Sequence, residues 1–207
     1  MSVIKPVSGS RPAVFLDKDG TLLDDVSYNV DPRRMRLAPG AFDALGLFAR
    51  MNAPIVVVSN QSGVALGKFD EAALTDVELR LQELAAGAGA RLAAVCWCVH
   101  HPEGRVARYR RICDCRKPAP GMLERVAYDL QFDLSGSWMV GDILDDIEAG
   151  HRAGCGAVLI DNGNETVWQR GPLREPDAVA QNMLEAARII ERVWRESDEH
   201  NRAESAT

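Results

Sequence analysis

Two aspartates separated by one residue follow the first apolar segment of the chain. Asp17 and Asp19 come directly after Ala13-Val14-Phe15-Leu16, and Gly20 follows them. Side chains two residues apart in an extended chain point to the same side. Two carboxylates held this close repel each other unless a cation lies between them or one of them takes up a proton. The pair therefore indicates a metal or acid–base site at the end of a strand, with an Asp-rich turn as the alternative.

Polar residues also follow two later apolar segments. Ser59-Asn60-Gln61-Ser62-Gly63 comes after Ile55–Val58, and Asp142 comes two residues after Trp138–Val140. A hydroxyl and a run of backbone amides at a strand end can hold phosphate oxygens. In open α/β sheets the ligands bind beyond the carboxyl ends of the strands. These strand ends together predict an oxygen-rich site that suits a hard divalent cation, Mg²⁺ above all.

A lysine, Lys117 in Cys115-Arg116-Lys117-Pro118, is the candidate for a positive charge in this site. An acidic cleft that holds a metal and a phosphate dianion needs fixed positive charge in addition to the metal. Taken alone, Lys117 would be interpreted as a surface lysine before a proline.

The cysteines are clustered, since four of the five lie within one stretch of the chain. Three thiolates and one imidazole make a Cys₃His set, which matches a closed structural Zn²⁺ site. The predicted ligands are Cys98, His100, Cys113 and Cys115. We expect Cys96 and Cys155 to be ordinary buried thiols.

Short apolar segments alternate with helical patterns, which is typical of a parallel α/β sheet. The apolar segments do not alternate with polar residues, as expected when helices cover both faces of the sheet. The predicted strands are 13–16, 55–58, 92–98, 138–140 and 157–160. The predicted helices are 41–51, 70–86, 121–130, 143–153 and 183–194.

Composition and charge exclude several classes of protein. The 207 residues carry 24 basic and 30 acidic side chains, a net charge of −6, whereas nucleic-acid binders usually show the opposite balance. No apolar run approaches the roughly 18 residues of a membrane helix, and residues 1–12 lack the apolar core of a signal peptide. We expect one domain over 13–195, an N-terminal segment 1–12 and a flexible tail 196–207. We also expect a cytoplasmic monomer that binds neither nucleic acid nor membrane.

Four motifs in order resemble those of the haloacid dehalogenase (HAD) superfamily. They are F-L-D-K-D-G-T-L at 15–22, S-N-Q-S-G at 59–63, C-R-K-P at 115–118 and G-D-x-x-x-D at 141–146. The chain is most similar to the compact, histidinol-phosphatase-like branch, and the resemblance covers roughly residues 13–162. It implies a Rossmann-like parallel sheet with helices on both faces, a minimal cap and a zinc-binding loop insertion at about 98–115.

The resemblance also implies a role for each motif residue. Asp17 would be the nucleophile that forms an aspartyl-phosphate, and Asp19 the general acid and base. Ser59 and Lys117 would hold the phosphoryl group. Mg²⁺ would be bound by Asp17, Asp142 and the backbone carbonyl of Asp19, with Asp146 orienting Lys117 or a metal-bound water. The implied substrate contacts are Asp25, Ser27, Tyr28, Asn60, Gln61, Ser62 and Arg116.

The implied reaction is hydrolysis of a phosphomonoester on a small phosphorylated sugar, namely removal of the 7-phosphate from a heptose 1,7-bisphosphate. Leu23, Leu66 and Ile143 depart from the pattern of the heptose-specific members. Histidinol phosphate therefore stays open as the alternative substrate. A catalytically decayed zinc-loop binding module is the alternative of another class. The zinc loop would act structurally, because fixing Cys115 on a metal fixes Lys117 two residues later.

Overall fold

Six parallel strands form a single sheet in the computed structural model, which describes residues 10–205 and their side chains as far as residue 200. The strands lie in the order β3-β2-β1-β4-β5-β6, and every neighbouring pair is parallel. Their bounds are Val14–Leu16 (β1), Ile55–Asn60 (β2), Leu92–Cys98 (β3), Trp138–Gly141 (β4), Gly156–Ile160 (β5) and Ala178–Ala180 (β6).

Within residues 10–205, five α-helices cover the two faces of the sheet. They are Ala41–Arg50 (α1), Ala73–Gly87 (α2), Gly121–Leu130 (α3), Leu144–Ala153 (α4) and Met183–Ser205 (α5). In this described part of the chain, the connections contain three single-turn 3-10 helices, at Pro32–Arg34, Ala107–Tyr109 and Leu134–Gly136. Helices α1, α2 and α5 share one core with Val14 and Leu16, whereas α3 packs with Phe15 on the other face. The predicted parallel α/β sheet with helices on both faces is therefore confirmed.

The central position of β1 determines where the motifs meet. Leu16 is in register with Val57 of β2 on one side and with Val140 of β4 on the other. The Asp17 amide then donates to the Val140 carbonyl at 2.9 Å, so the β1 and β4 ends stay paired. In such a sheet the crevice at the carboxyl ends of the central strands is the usual ligand site.

Two elements differ substantially from the sequence-based prediction, whereas the bounds of the others agree to within three residues. Strand β6 was not predicted, because its three residues, which follow the mostly polar segment 161–177, are too few to show a hydrophobic pattern. Helix α5 was predicted to end near Trp194 and to be followed by a flexible tail, but it continues to Ser205. Residues 195–205 are polar yet contain no proline or glycine, so nothing local ends the helix. Residues 1–9 and 206–207 of the predicted terminal segments lie outside the described residues.

Within residues 10–205, none of the helices combines the length and the apolar character that a bilayer crossing requires.

Candidate active site

Three buried carboxylates converge at the carboxyl edge of the sheet. Asp17 follows β1, Asp142 follows β4, and Asp146 lies in the first turn of α4. One oxygen atom of each lies within 4.8 Å of the other two. Burial, and after it the negative charge of Asp17, raise the pKa of Asp142 to about 6. A divalent cation would remove this repulsion, and carboxylate oxygens are the ligands that Mg²⁺ prefers, so the donor set fits that ion.

The carboxylate of Asp142 is held by a hydrogen bond on each oxygen. The hydroxyl of Thr21 donates to Oδ1 at 3.2 Å, and the amide of Asn164 donates to Oδ2 at 2.7 Å. Gly20 makes this close approach feasible, since a Cβ there would lie 2.0 Å from Asp142 Oδ2. Gly20 also has a φ of +82°, which disfavours any other residue.

The Lys117 ammonium group lies against two of the carboxylates. Its Nζ is 2.5 Å from Asp17 Oδ1 and 2.6 Å from Asp146 Oδ1, and it donates to the Val58 carbonyl at 3.0 Å. Burial alone lowers the pKa of Lys117, but Asp146 and Asp17 together outweigh it and raise that pKa. The side chain of Asn60 binds the main chain of Lys117 at both its N–H and its C=O, at 3.0 Å each. Asn60, which we expected to contact substrate, thus uses its amide to position the lysine.

Asp19 lies at the more open side of the site, with about a third of its side chain exposed. Its carboxylate pairs with Lys18 and accepts from Gln61 Nε2 at 3.2 Å. The same Gln61 nitrogen lies 2.9 Å from Ser59 Oγ, so Gln61 connects the second strand end to the first. Burial raises the pKa of Asp19, with Lys18 opposing and Asp17 adding to the effect. A carboxyl with a raised pKa suits a group that must carry a proton during a reaction.

Two of the remaining predicted substrate contacts lie in the segments that surround these groups. Ser62 is half-buried in the turn after β2, where its carbonyl accepts from the Leu66 amide at 2.9 Å. Arg116 is also half-buried, and its Nη1 is buried without a hydrogen-bond partner among the described residues. An unpaired buried guanidinium nitrogen is costly, and an anionic ligand would satisfy it.

The other three predicted contacts make no hydrogen bond to the buried carboxylates within the described residues. Asp25, Ser27 and Tyr28 are exposed in the segment between β1 and the first 3-10 helix. The Lys68 ammonium lies 5.6 Å from the centre of the Tyr28 ring. Their contact with the substrate therefore stays a prediction.

The four predicted zinc ligands come together in one cluster, Cys98, His100, Cys113 and Cys115. The three sulfur–sulfur distances are 3.3, 3.3 and 3.6 Å, and His100 Nδ1 lies 3.3 and 4.0 Å from two of the sulfurs. A tetrahedral Zn²⁺ with Zn–S bonds of about 2.3 Å requires sulfurs about 3.8 Å apart, close to this geometry. Burial raises the pKa of Cys98 and Cys115, whereas hydrogen bonds from Cys115 and from the Arg116 backbone outweigh burial and lower the pKa of Cys113. A cation would stabilise the thiolate forms of Cys98 and Cys115. The donor set fits structural zinc.

Backbone hydrogen bonds connect the zinc loop to the rest of the site. The Val106 amide donates to the Ala65 carbonyl at 2.9 Å, next to the turn after β2. The Gly121 amide donates to the Asp114 carbonyl at 2.8 Å, which ties the loop to the start of α3. Between these anchors, Cys115 is separated from Lys117 by one residue, so a metal at the cluster would hold the lysine in place.

Comparison with known proteins identifies the family of the chain. Residues 114–186 match the HAD-hydrolase-like family. The D-glycero-beta-D-manno-heptose-1,7-bisphosphate 7-phosphatase of Escherichia coli K12 is 40% identical over 155 residues, 74% of this chain and 81% of the relative. The enzyme of the same name from Vibrio cholerae is 34% identical over 181 residues, 87% of this chain and 95% of the relative. The chain belongs to the HAD-like sugar bisphosphate phosphatases.

A solved structure supports the same family. The D,D-heptose 1,7-bisphosphate phosphatase from B. bronchiseptica, complexed with magnesium and phosphate, superposes with a TM-score of 0.74 at 32% identity. The match covers 89% of this chain and 99% of that one. As a HAD-like phosphatase, this chain is a phosphoric monoester hydrolase.

Two positioning contacts in this HAD-like phosphatase were not found from sequence. The Asp142 carboxylate accepts hydrogen bonds from Thr21 and Asn164. Thr21 lies within one of the recognised motifs, and Asn164 lies outside all of them. A signal for Asn164 existed, because it follows β5 by a few residues and β5 lies beside β4. Polar residues that follow neighbouring parallel strands lie at the same carboxyl edge of the sheet, and this rule points to Asn164.

Proposed function

We propose that this HAD-like phosphatase removes the 7-phosphate of D-glycero-D-manno-heptose 1,7-bisphosphate, with Mg²⁺ bound at the active site. The observation that carries the proposal is the buried cluster of Asp17, Asp142 and Asp146, in which Lys117 pairs with the first and the last. Such a cluster combines metal ligands, a nucleophile and a fixed cation, which are the parts that phosphoryl transfer needs. The names of the relatives supply the choice of substrate.

In the proposed site, Asp17, Asp142 and the backbone carbonyl of Asp19 would hold the magnesium ion. When bound, the ion would offset the negative charge that otherwise keeps the Asp17 carboxylate away from a phosphate dianion. Asp146 contributes differently, because its Oδ1 is already paired with Lys117 and its Oδ2 accepts from the Ile143 amide at 3.3 Å. We assign Asp146 to the positioning of the lysine.

The chemistry then runs through the side chains of the chain itself. A carboxylate oxygen of Asp17 attacks the phosphorus in line, and the bond from phosphorus to the sugar oxygen breaks. Asp19 donates its proton to the leaving sugar oxygen, in keeping with its raised pKa. Asp19 next takes a proton from a water molecule, which attacks the phosphorus of the aspartyl-phosphate and releases phosphate. Lys117 and Ser59 hold the phosphoryl oxygens through both steps.

Arg116 is the proposed partner of the phosphate that is not hydrolysed. It directly precedes Lys117, and its buried Nη1 lacks a partner among the described residues. A bisphosphate carries a second dianion, which binds a guanidinium more strongly than a neutral sugar hydroxyl does. The zinc cluster, proposed as purely structural, would hold both Arg116 and Lys117 toward the cleft through Cys115.

A panel of phosphate esters tests the proposed function. The purified zinc-loaded protein is assayed with heptose 1,7-bisphosphate, simple sugar monophosphates and histidinol phosphate, with and without Mg²⁺. We expect Mg²⁺-dependent release of one phosphate from the bisphosphate, and no turnover by Asp17→Asn in protein that remains folded. A higher kcat/KM for histidinol phosphate would overturn the substrate. Full turnover by Asp17→Asn, with deamidation excluded, would overturn the mechanism.

A further inference from the structure

The segment Asn162–Glu165, which follows β5, makes side-chain contacts to two of the motif segments. It lies outside all four HAD-like motifs, and its Asn-Glu-Thr triplet at 164–166 has the form of a glycosylation acceptor. Strand β5 is the neighbour of β4, so this segment begins at the edge of the sheet where Asp142 lies. Its three polar side chains each form at least one hydrogen bond there.

Asn164 contacts the predicted metal ligand directly. Its Nδ2 donates to Asp142 Oδ2 at 2.7 Å, while Thr21 occupies the other carboxylate oxygen at 3.2 Å. A carboxylate oxygen has more than one lone pair, so these bonds orient the group and still leave room for a cation. The space is closely fitted, since a Cβ at Gly20 would lie 2.0 Å from Asp142 Oδ2 and 2.5 Å from Asn164 Nδ2.

Asn162 holds Asn164 in place, and both Asn162 and Glu165 bind the turns on either side of it. Asn162 Oδ1 accepts from the Asn164 amide at 3.1 Å, and Asn162 Nδ2 donates to the Gly20 carbonyl at 2.7 Å. Gly20 directly follows Asp19, whose own carbonyl is the proposed third metal ligand. Glu165 Oε2 accepts from the Leu144 amide at 2.7 Å, at the first residue of α4. The segment therefore joins the turn after β1 to the turn after β4.

We propose that Asn164 is a positioning residue for the metal site, one that orients the Asp142 carboxylate toward the cation, with Asn162 holding the neighbouring turn. The inference rests on the proposed function, because it concerns the magnesium site assigned there. Partners that orient a metal ligand contribute strongly, and their loss typically weakens metal binding about 10- to 100-fold. Among residues 10–205, no hydrogen bond joins the Asn164 side chain to Ser59, Lys117 or Asp17, so we expect its effect to reach catalysis through the metal.

The test measures Mg²⁺ binding apart from activity. Titration calorimetry on the magnesium-free, zinc-loaded full chain compares the unmodified protein with Asn164→Ala and with Asn164→Leu, which keeps the branching of the side chain but cannot donate. Thr166→Ala, an exposed position two residues later, is the matched control. We expect the Mg²⁺ dissociation constant to rise about tenfold or more in both Asn164 variants and to stay unchanged in Thr166→Ala.

Hydrolysis of the bisphosphate at increasing Mg²⁺ gives the second measurement. If Asn164 acts through the metal, kcat of both variants returns to within about twofold of the unmodified value once Mg²⁺ is saturating. Unchanged Mg²⁺ affinity in Asn164→Ala or Asn164→Leu would overturn the inference, and so would a loss of kcat that excess Mg²⁺ does not restore. If the unmodified protein neither binds Mg²⁺ nor hydrolyses the ester, the proposed function itself fails.

Discussion

Asp146 and Lys117 form an ion pair that is closed to solvent. Lys117 Nζ lies 2.6 Å from Asp146 Oδ1, and the two side chains are 2% and 0% exposed. The other oxygen of Asp146 accepts from the Ile143 amide at the start of α4, where the helix dipole favours a negative charge. One carboxylate thus connects the beginning of a helix to a lysine delivered by the zinc loop.

Asp146→Asn tests this ion pair. The substitution leaves a buried ammonium with Asp17 as its remaining carboxylate, so Lys117 should hold the nucleophile more tightly and position phosphate less well. We expect kcat/KM to fall at least about tenfold, and the free energy of unfolding to fall by about 3–5 kcal/mol. Urea unfolding and steady-state kinetics measure the two effects.

Asp145→Asn is the control for this variant. Asp145 is adjacent and partly exposed, and it pairs with Arg174 at 2.9 Å, so we expect its substitution to lower the free energy of unfolding by less than about 1 kcal/mol. Equal losses in both variants would contradict a special role for Asp146.

Removing one zinc ligand should affect both metal content and catalysis. If Cys98, His100, Cys113 and Cys115 bind one ion, we expect close to one Zn²⁺ per chain in the unmodified protein and little in Cys113→Ser. Phosphate hydrolysis should fall because Cys115 no longer fixes Lys117, and added Mg²⁺ should not restore it. Cys96→Ser, a half-buried thiol outside the cluster, should keep its zinc. Fully active protein without zinc by metal analysis would refute the structural role.

Arg116→Ala tests recognition of the second phosphate. We expect kcat/KM to fall far more for heptose 1,7-bisphosphate than for a sugar monophosphate. The difference should be about 1.5–3 kcal/mol, the contribution of a hydrogen bond to a charged group. Arg105→Ala, an exposed arginine of the same loop, serves as the control and should lower both values little. Equal losses on the two substrates would assign Arg116 to the fold or to the reacting phosphate.

The raised pKa of Asp142 predicts how pH changes the effect of Mg²⁺ on stability. Burial and then Asp17 raise this pKa from 3.8 to about 6 in the folded, magnesium-free protein. The folded state therefore binds this proton more tightly than the unfolded state does. The stability that this tighter proton binding contributes is fully present below the pKa of the unfolded state and is lost as the pH rises through about 6.

Mg²⁺ needs the ionised carboxylate, so it should raise the melting temperature more at about pH 7.5 than at about pH 5. Thermal unfolding with and without Mg²⁺ at the two pH values measures this difference. In Asp142→Asn both the Mg²⁺ effect and its pH dependence should be much smaller. If Mg²⁺ raised the melting temperature of the unmodified protein equally at both pH values, the result would count against Asp142 as a metal ligand.

Much of the fold and of the site could be predicted because the relevant signals are local. An apolar run followed by Asp17 and Asp19 identifies a strand and the carboxylates beyond it from a few consecutive residues. The helix Gly121–Leu130 and the strand Leu92–Cys98 were predicted with the observed bounds, since glycine, proline and the hydrophobic pattern mark them directly. The zinc ligands likewise lie within one short stretch, where residue type and spacing already limit the chemistry.

Only the tertiary structure decided which side chains act on one another. The contact of Asn164 with Asp142 exists because β5 pairs in parallel with β4. The hydrogen bonds between the Asn60 side chain and the main chain of Lys117 likewise form only in the folded sheet. Strand order and register arise from burying both faces of the sheet at once, a property of the whole chain. No pattern confined to one segment contains that information, so these partners became visible only in three dimensions.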